Sequence, residues 1–303
     1  MNLPRPSRSD WKEILKMLRP FRLEEPESVA DVSDLLSRFG ESAKVYAGGT
    51  ELLLAMKEGL VHYDRLINVK NVKGLDEVAS DNGIIRIGAL CTHHQLETSP
   101  LLQQKLAALV QLEQNVANVR VRQVGTLGGN LCFAEPHADP GILLMAMGAT
   151  MVAEKSRSKR EIPAEEFCVD AYETALEADE VLTEIRVPAP EGKSAVAYLK
   201  FGYLERPSVG VAVVLHVNGG GKSVHDIRIA VGCAGPAPKR VPEAEEQIKG
   251  RSVDEAKVNI LEAGEIAGRA AQAISDLHGS QEYKEHIVGV LLKRAFQKAL
   301  SQG

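Results

Sequence analysis

Aromatic residues are scarce, making up 4% of the 303-residue chain with a single tryptophan. That scarcity argues against a nucleic-acid surface built on base stacking. Charge of one sign is missing too: 36 lysines and arginines against 41 aspartates and glutamates leave a formal net charge of -5. This is too mild to mark a nucleic-acid or anionic-membrane surface. The four cysteines, Cys91, Cys132, Cys168 and Cys233, lie far apart. Without a Cys-x-x-Cys pair they offer no local ligand set for zinc or an iron-sulfur cluster, and they read as unpaired thiols in a reducing compartment. Long apolar runs are absent as well. The charge-free stretch from Pro140 to Ala153 falls short of the roughly 20 apolar residues of a membrane helix. Met1 to Arg19 alternates charge and proline without an apolar signal-peptide centre, so a cytoplasmic protein with no membrane span is expected.

What remains is ordinary globular composition, 44% hydrophobic and 25% charged, at a length that suggests about two domains. Ser28 begins a capping pattern with Asp31. Val29, Val32, Leu35, Leu36 and Phe39 then recur at helical spacing until Gly40. Ala43 to Ala47 reads as a strand, Gly48-Gly49-Thr50 as a tight turn, Glu51 to Lys57 as helix and Arg65 to Val69 as a second strand. This order supports parallel pairing. Further strands are expected at Gly83 to Leu90, Ala149 to Glu154 with a charged hairpin returning through Glu161 and Ile162, and Glu180 to Val187. Thr92 is placed to cap a short helix, Leu101 to Ala117 suggests a longer one and Pro140 to Gly148 another. Arg120 to Pro140, rich in glycine and weak in periodicity, reads as a binding loop with a short extended piece.

After the break Pro188-Ala189-Pro190-Glu191-Gly192, three strand-like runs follow: Ala195 to Tyr203, Val209 to Val217 and Val224 to Cys233. The last two are joined by Asn218-Gly219-Gly220-Gly221, as in an antiparallel meander. Helical segments near Pro242 to Lys249, Asp254 to Asp276 and Gln281 to Leu300 close the chain, the last with Tyr283, Ile287, Leu291 and Ala295 on one stripe.

Two glycine loops carry the chemistry. In Ala47-Gly48-Gly49-Thr50-Glu51-Leu52 the missing Cβ atoms open the backbone, and the following helix directs unsatisfied N-H groups at the same spot, an environment suited to a diphosphate. Taken alone, the turn reads more readily as plain punctuation before a helix. It matches neither the dinucleotide GxGxxG nor the nucleotide GxxxxGK[ST] pattern. Gly125-Thr126-Leu127-Gly128-Gly129-Asn130 repeats the chemistry, and Asp139 beyond it is a carboxylate suited to accept bonds from polyol hydroxyls.

These segments resemble the FAD-binding medium subunit of the molybdenum hydroxylases, the group containing carbon monoxide dehydrogenase and xanthine dehydrogenase. The likeness rests on Ala47 to Leu52, on Arg122 to Asn130 with Ala134-Glu135-Pro136-His137-Ala138-Asp139, on Glu180-Val181-Leu182 through Pro188, and on Lys200 with Arg206. It implies an α+β fold in which FAD lies across two subdomains of the vanillyl-alcohol-oxidase or PCMH type, followed by a small antiparallel sheet packed with helices. The corresponding divisions are an N-terminal extension 1–20, an FAD-binding domain 21–190 with subdomains about 21–75 and 76–190, and a C-terminal domain 191–303. Carried over by position, Ala47, Gly48, Gly49, Thr50, Glu51 and Leu52 hold the pyrophosphate. Thr126, Gly129 and Asn130 bind from the second loop, Asp139 takes a ligand hydroxyl, and Leu182 and Lys200 match positions that contact the cofactor. The resemblance implies non-covalent FAD and an electron-transfer subunit, partnered by a molybdopterin-binding large subunit and an iron-sulfur small subunit. It delivers to an acceptor such as NAD, a quinone or oxygen, and no general acid or base is named. A stand-alone FAD oxidoreductase and a flavin-free scaffold of the same fold are the competing readings.

Other residues read more plainly. His93 and His94 point about 100 degrees apart on a helix and suit a solvated or capping pair better than a metal site. His137 reads as an exposed loop histidine or one facing the flavin or a partner, and Cys132 as a buried small apolar residue. Arg206 suggests a surface ion pair and Lys155 to Arg160 a solvated hairpin tip.

Overall fold

The computed structural model describes residues 18–190, 194–203, 206–218 and 220–302. Most of the expected N-terminal extension, residues 191 and 192 of the proline-rich break, and Gly219 of the glycine turn lie outside them.

The first sheet is parallel. Strands β1 (Arg22–Glu24), β2 (Ala43–Tyr46) and β3 (Arg65–Asn68) lie in the order β1-β3-β2. Parallel neighbours need crossovers, supplied here by helices Val29–Phe39 and Leu52–Lys57. Ser28 caps the first by accepting from the Asp31 amide, and Gly40, at φ 51, ends it. The apolar face spotted in the sequence puts Val32 and Leu36 against Ile67 and Val69. β1 was not expected from the sequence, because three residues carry no readable period.

The second sheet is antiparallel, built of β4 (Val78–Asp81), β5 (Ile84–Gly88), β6 (Thr150–Lys155), β7 (Ser158–Pro163) and, after the ribbon β8 (Cys168–Asp170) with β9 (Glu173–Thr174), β10 (Val181–Pro188). The order is β4-β5-β10-β6-β7. The basic hairpin tip is locally paired rather than merely solvated: Lys155 meets Glu177, Lys159 meets Glu154, and Arg160 forks onto Glu180.

Two sequence expectations are overturned here. The long helix at 101–117 is two, Pro100–Lys105 and Ala107–Glu113, broken at Leu106. The stretch 120–140 is largely helical, as Val119–Val124 and Leu127–Phe133. Its glycines hid this, but caps decide the outcome. The Asn118 side chain accepts from the Arg120 and Val121 amides, and the Thr126 hydroxyl from the Gly129 amide.

The third sheet is antiparallel, with β11 (Ser194–Tyr203), β12 (Arg206–Val217), β13 (Val224–Gly232) and β14 (Lys239–Arg240) in sequence order. It is a middle layer, so β12 is buried on both faces. Val209, Val211, Val213 and Leu215 face the terminal helices, whereas Ala212 and Val214 join the core of the second sheet. Small residues matter on that inner face: a Cβ on Gly210 or Gly232 would come within 2.7 Å of the Ile142 side chain, which seats there from helix Pro140–Ala146. Arg228 and Arg240 fasten the same layers by reaching Glu165 at 2.7 and 3.1 Å.

Helix Val253–Ala270 stops short of the expected Asp276, since Gln272 turns left-handed at φ 49. In helix Gln281–Leu300 the buried face is rotated from the expected stripe. Leu291 and Ala295 are buried, but Tyr283 is 44% exposed and Lys284 takes an inner place, donating to Asp276 at 2.6 Å. The two helices cross where Gly264 meets Gly289, and a Cβ on Gly264 would lie 3.0 Å from the Gly289 Cα. No helix among the described residues is long and apolar enough to cross a membrane. At the glycine crossing, Gly264→Leu is expected to force the helices apart at a cost of about 1–3 kcal/mol. A lowered midpoint in urea unfolding checks this, with an unchanged midpoint against it.

Candidate functional site

The two glycine loops meet. A Cβ on Gly48 would fall onto the Val124 carbonyl oxygen and within 2.8 Å of the Gly125 Cα, so the backbones abut with no room for a side chain. From Gly125 the same construction reaches the Thr50 hydroxyl at 3.6 Å and the His93 ring at 3.3 Å. Gly49 has a different requirement. It sits at φ 71, and its Cβ would run into the Tyr46 ring, so both conformation and space demand glycine.

Main-chain bonding in the first loop starts late, with Leu53 N-H donating to Gly49 O at 3.1 Å and Ala55 to Glu51 at 2.9 Å. Among the described residues, the amides of 48–52 therefore find no main-chain acceptor. Ahead of helix Leu52–Lys57, these free donors suit an anion. Ala47, Thr50, Glu51 and Leu52 are all half-buried around them.

The second loop differs from the sequence reading, because most of its amides are spent inside the protein. Leu127 N-H donates to Cys91 O, Gly128 to Ala89 O and Gly129 to the Thr126 hydroxyl, at 2.9, 2.9 and 3.0 Å. Gly128 exists for packing, since a Cβ there would lie 2.6 Å from Ala89. What the loop leaves open is Gly129, exposed, whose Cβ direction meets only Thr126, and Asn130, whose Oδ1 is buried with no hydrogen-bond partner among the described residues. An orphaned buried acceptor is costly, and a ligand donor would satisfy it. Leu182 sits under this platform. Its side chain is 5% exposed in β10, opposite Ala153, and the next residue, Thr183, accepts from the amide of Ala89, on which Gly128 packs.

Asp139 and Lys200 are brought together, chiefly with each other. Asp139, 4% exposed, accepts from Tyr198 Oη at 2.5 Å and Lys200 Nζ at 2.8 Å, while Lys200 also donates to Asn115 O at 2.7 Å. Burial pushes the Asp139 carboxyl above its ordinary range, with Lys200 and Tyr198 pulling against it. Two of the three ammonium protons are thus committed, leaving Lys200 one donor to offer.

The surface ion pair expected at Arg206 is present, but sequence reasoning missed its partners and the clamp they form. Arg206, at the head of β12, reaches Glu51 of the first loop at 3.3 Å and Glu135 beyond the second at 3.5 Å. Burial raises the Glu51 pKa, Arg206 draws it down, and Glu135 raises it further. Glu135 is half-buried, which pushes its pKa up, yet bonding from His137 and the charges of His137 and Arg206 hold it below its ordinary value. His137 is likewise mated within the chain: Nδ1 is 3.0 Å from Glu135, Nε2 is 3.5 Å from Asp276, and the ring lies 4.9 Å from that of His278.

Behind Gly125, His93 Nδ1 lies 2.6 Å from Glu113 Oε2, a pair with 2% and 0% exposed residues. A lone acid closing the apolar helix Ala107–Glu113 was the available signal. His94 instead meets Glu97 at 2.8 Å, and no cluster among the described residues could hold a metal ion. Cys132 is half-buried and close to apolar surroundings; burial pushes its thiol up to about 12, with Lys44 pulling it back.

Removing the ammonium in Lys200→Met should cost about 3 kcal/mol at neutral pH, because Asp139 is left charged and buried. Its raised folded-state pKa means the native protein binds the proton more readily than the unfolded chain, so the loss should shrink as pH falls through that pKa. Chemical denaturation at neutral and mildly acidic pH checks the sign, and a deficit that grows on acidification would contradict it.

Comparison with known proteins shows residues 19–190 matching the FAD binding domain in molybdopterin dehydrogenase, and residues 205–299 matching the CO dehydrogenase flavoprotein C-terminal domain. The nicotine 6-hydroxylase medium subunit of Paenarthrobacter nicotinovorans is 31% identical over 93% of this chain and 98% of that one. Among solved structures, the carbon monoxide dehydrogenase of Hydrogenophaga pseudoflava superposes with a TM-score of 0.91 at 31% identity, covering 94% of this chain and 99% of its own. Quinoline 2-oxidoreductase from Pseudomonas putida gives 0.87 at 28% identity, covering 94% and 98%.

Proposed function

Because this chain belongs to the family of FAD-binding subunits of the molybdopterin dehydrogenases, a group of oxidoreductases, we propose that it is the electron-transfer subunit of a larger complex. In this reading a small subunit carrying iron-sulfur clusters feeds it, a molybdopterin-binding large subunit oxidises the substrate, and an external acceptor such as NAD, a quinone or oxygen drains it. The medium-subunit and medium-chain relatives support this division of labour. We assign residues 21–190 as the FAD-binding domain, with subdomains about 21–75 and 76–190, and 191–303 as a C-terminal domain that closes over it.

The observation that carries the reading is the junction of Gly48 with Val124 and Gly125, which sets free amides of one loop beside the open side of the other. When bound, FAD supplies a centre that exchanges electrons singly or in pairs. The chain's part is binding and orientation. The amides of 48–52 donate to the pyrophosphate, Gly129 leaves space for close approach, and Asn130 Oδ1 accepts from the ligand. Lys200 offers its remaining proton, and Asp139 keeps that ammonium in place. Leu182 acts from beneath, as apolar support for the second loop. Arg206 draws Glu51 and Glu135 together, so that the loops close as a unit with the C-terminal sheet. We assign no general acid or base among these groups.

Purified chain is expected to carry a flavin absorption spectrum and to release FAD on denaturation. Colourless protein that also fails to bind added FAD overturns the reading. Gly48→Val should abolish FAD retention by parting the loops. Arg206 is exposed, so Arg206→Gln should leave the fold intact while weakening FAD binding roughly ten-fold. Titration against the parent chain decides both, and undiminished affinity in either variant would remove the role given to that residue.

A further inference from the structure

Tyr172 occupies the turn between β8 and β9 at φ 61. A bulky side chain is seldom held in the left-handed region, where glycine fits freely. Its amide donates at 2.8 Å to the carbonyl of Ala134, and Ala134 is itself left-handed at φ 48 as it ends helix Leu127–Phe133. Two strained residues thus secure one another at the far end of the helix that carries Gly129 and Asn130. Such strain persists where the surroundings impose it, often at ligand sites.

Among the described residues, the side chain thereby held in place makes a single ring contact. Tyr172 is 59% exposed, its ring touches Phe133 edge-on at 5.5 Å, and its hydroxyl makes no hydrogen bond among the described residues. Its position is nevertheless central. After burial, the charges acting on its hydroxyl are those of Glu135, Arg206 and Glu51, the three members of the clamp that joins both loops. Tyr46, whose ring stands beside Gly49 in the first loop, is already engaged under the Lys70 ammonium at 4.5 Å.

We propose that Tyr172 supplies the aromatic surface against which one ring system of FAD packs, in a chain otherwise poor in such surfaces. The inference rests on FAD lying at the glycine loops, as argued above. It explains why a tyrosine stands where backbone geometry favours glycine.

The test uses the full chain with Tyr172→Gly, Tyr172→Asn and Tyr172→Phe. Glycine and asparagine both suit the left-handed region, so the apo variants should unfold at the parent temperature or above. Both should bind FAD roughly five- to ten-fold more weakly, whereas Tyr172→Phe should match the parent. Parallel titrations with ADP and with FMN identify the ring system, since only the fragment that packs on Tyr172 should lose affinity. Parent-like FAD affinity in the glycine and asparagine variants overturns the proposal, as does an equal loss in Tyr172→Phe, which would place the interaction on the hydroxyl. Failure of the parent itself to bind FAD would instead defeat the underlying reading, and the two failures are distinguishable on the same plate.

Discussion

The organisation of this protein depends on one close approach, backbone against backbone, at Gly48 and Gly125. Any side chain on Gly48 would occupy the space of the Val124 carbonyl, so the loop after β2 can lie against the end of helix Val119–Val124 only through glycine. This is steric exclusion rather than attraction, and no hydrogen bond need cross the gap. Its consequence is electrostatic: amides that a helix would ordinarily leave to water are held in a half-buried loop, the environment in which we propose that a diphosphate replaces that water.

Around this junction, charge is handled by pairing. Asp139 with Lys200 and Tyr198, and Arg206 with Glu51 and Glu135, tie the third sheet to the loops beside it, and His93 with Glu113 joins two helices of the second unit. Such pairs add little net stability, because desolvation offsets most of their attraction. They do penalise misplacement, since a loop that drifts leaves a buried charge alone. The loops are thereby positioned by polar groups while the apolar layers on either side of β12 supply the bulk of the folding drive.

Much of the fold was legible in the sequence, and the reasons are local. Ser28 and Thr92 announced helix starts that the structure keeps, with Thr92 forming a full capping box with Gln95. The meander of β11 to β13 followed from β-branched runs and glycine punctuation. The segment 120–140 misled because glycine in sequence signals turn, while here Gly128 lies inside a helix to admit Ala89. The glycine loops of the site were visible for the same local reason. The partners of Arg206 and of Asp139 were not, because they stand far away along the chain and only the third sheet brings them close.

The free and the spent amides show why a motif read from residue types overstates symmetry. Both loops pair glycines with hydroxyls, yet the second uses its N-H groups to build its own platform on Ala89 and Cys91. It then offers the ligand a single unsatisfied side-chain oxygen, Asn130 Oδ1. One loop therefore donates and the other accepts. A ligand bearing only phosphates would satisfy the first and leave the second orphaned, whereas a molecule that joins a diphosphate to hydroxyl or ring N-H groups satisfies both. On the reading proposed above, a dinucleotide is thereby favoured over inorganic phosphate, since an unmet buried acceptor costs about 1–3 kcal/mol.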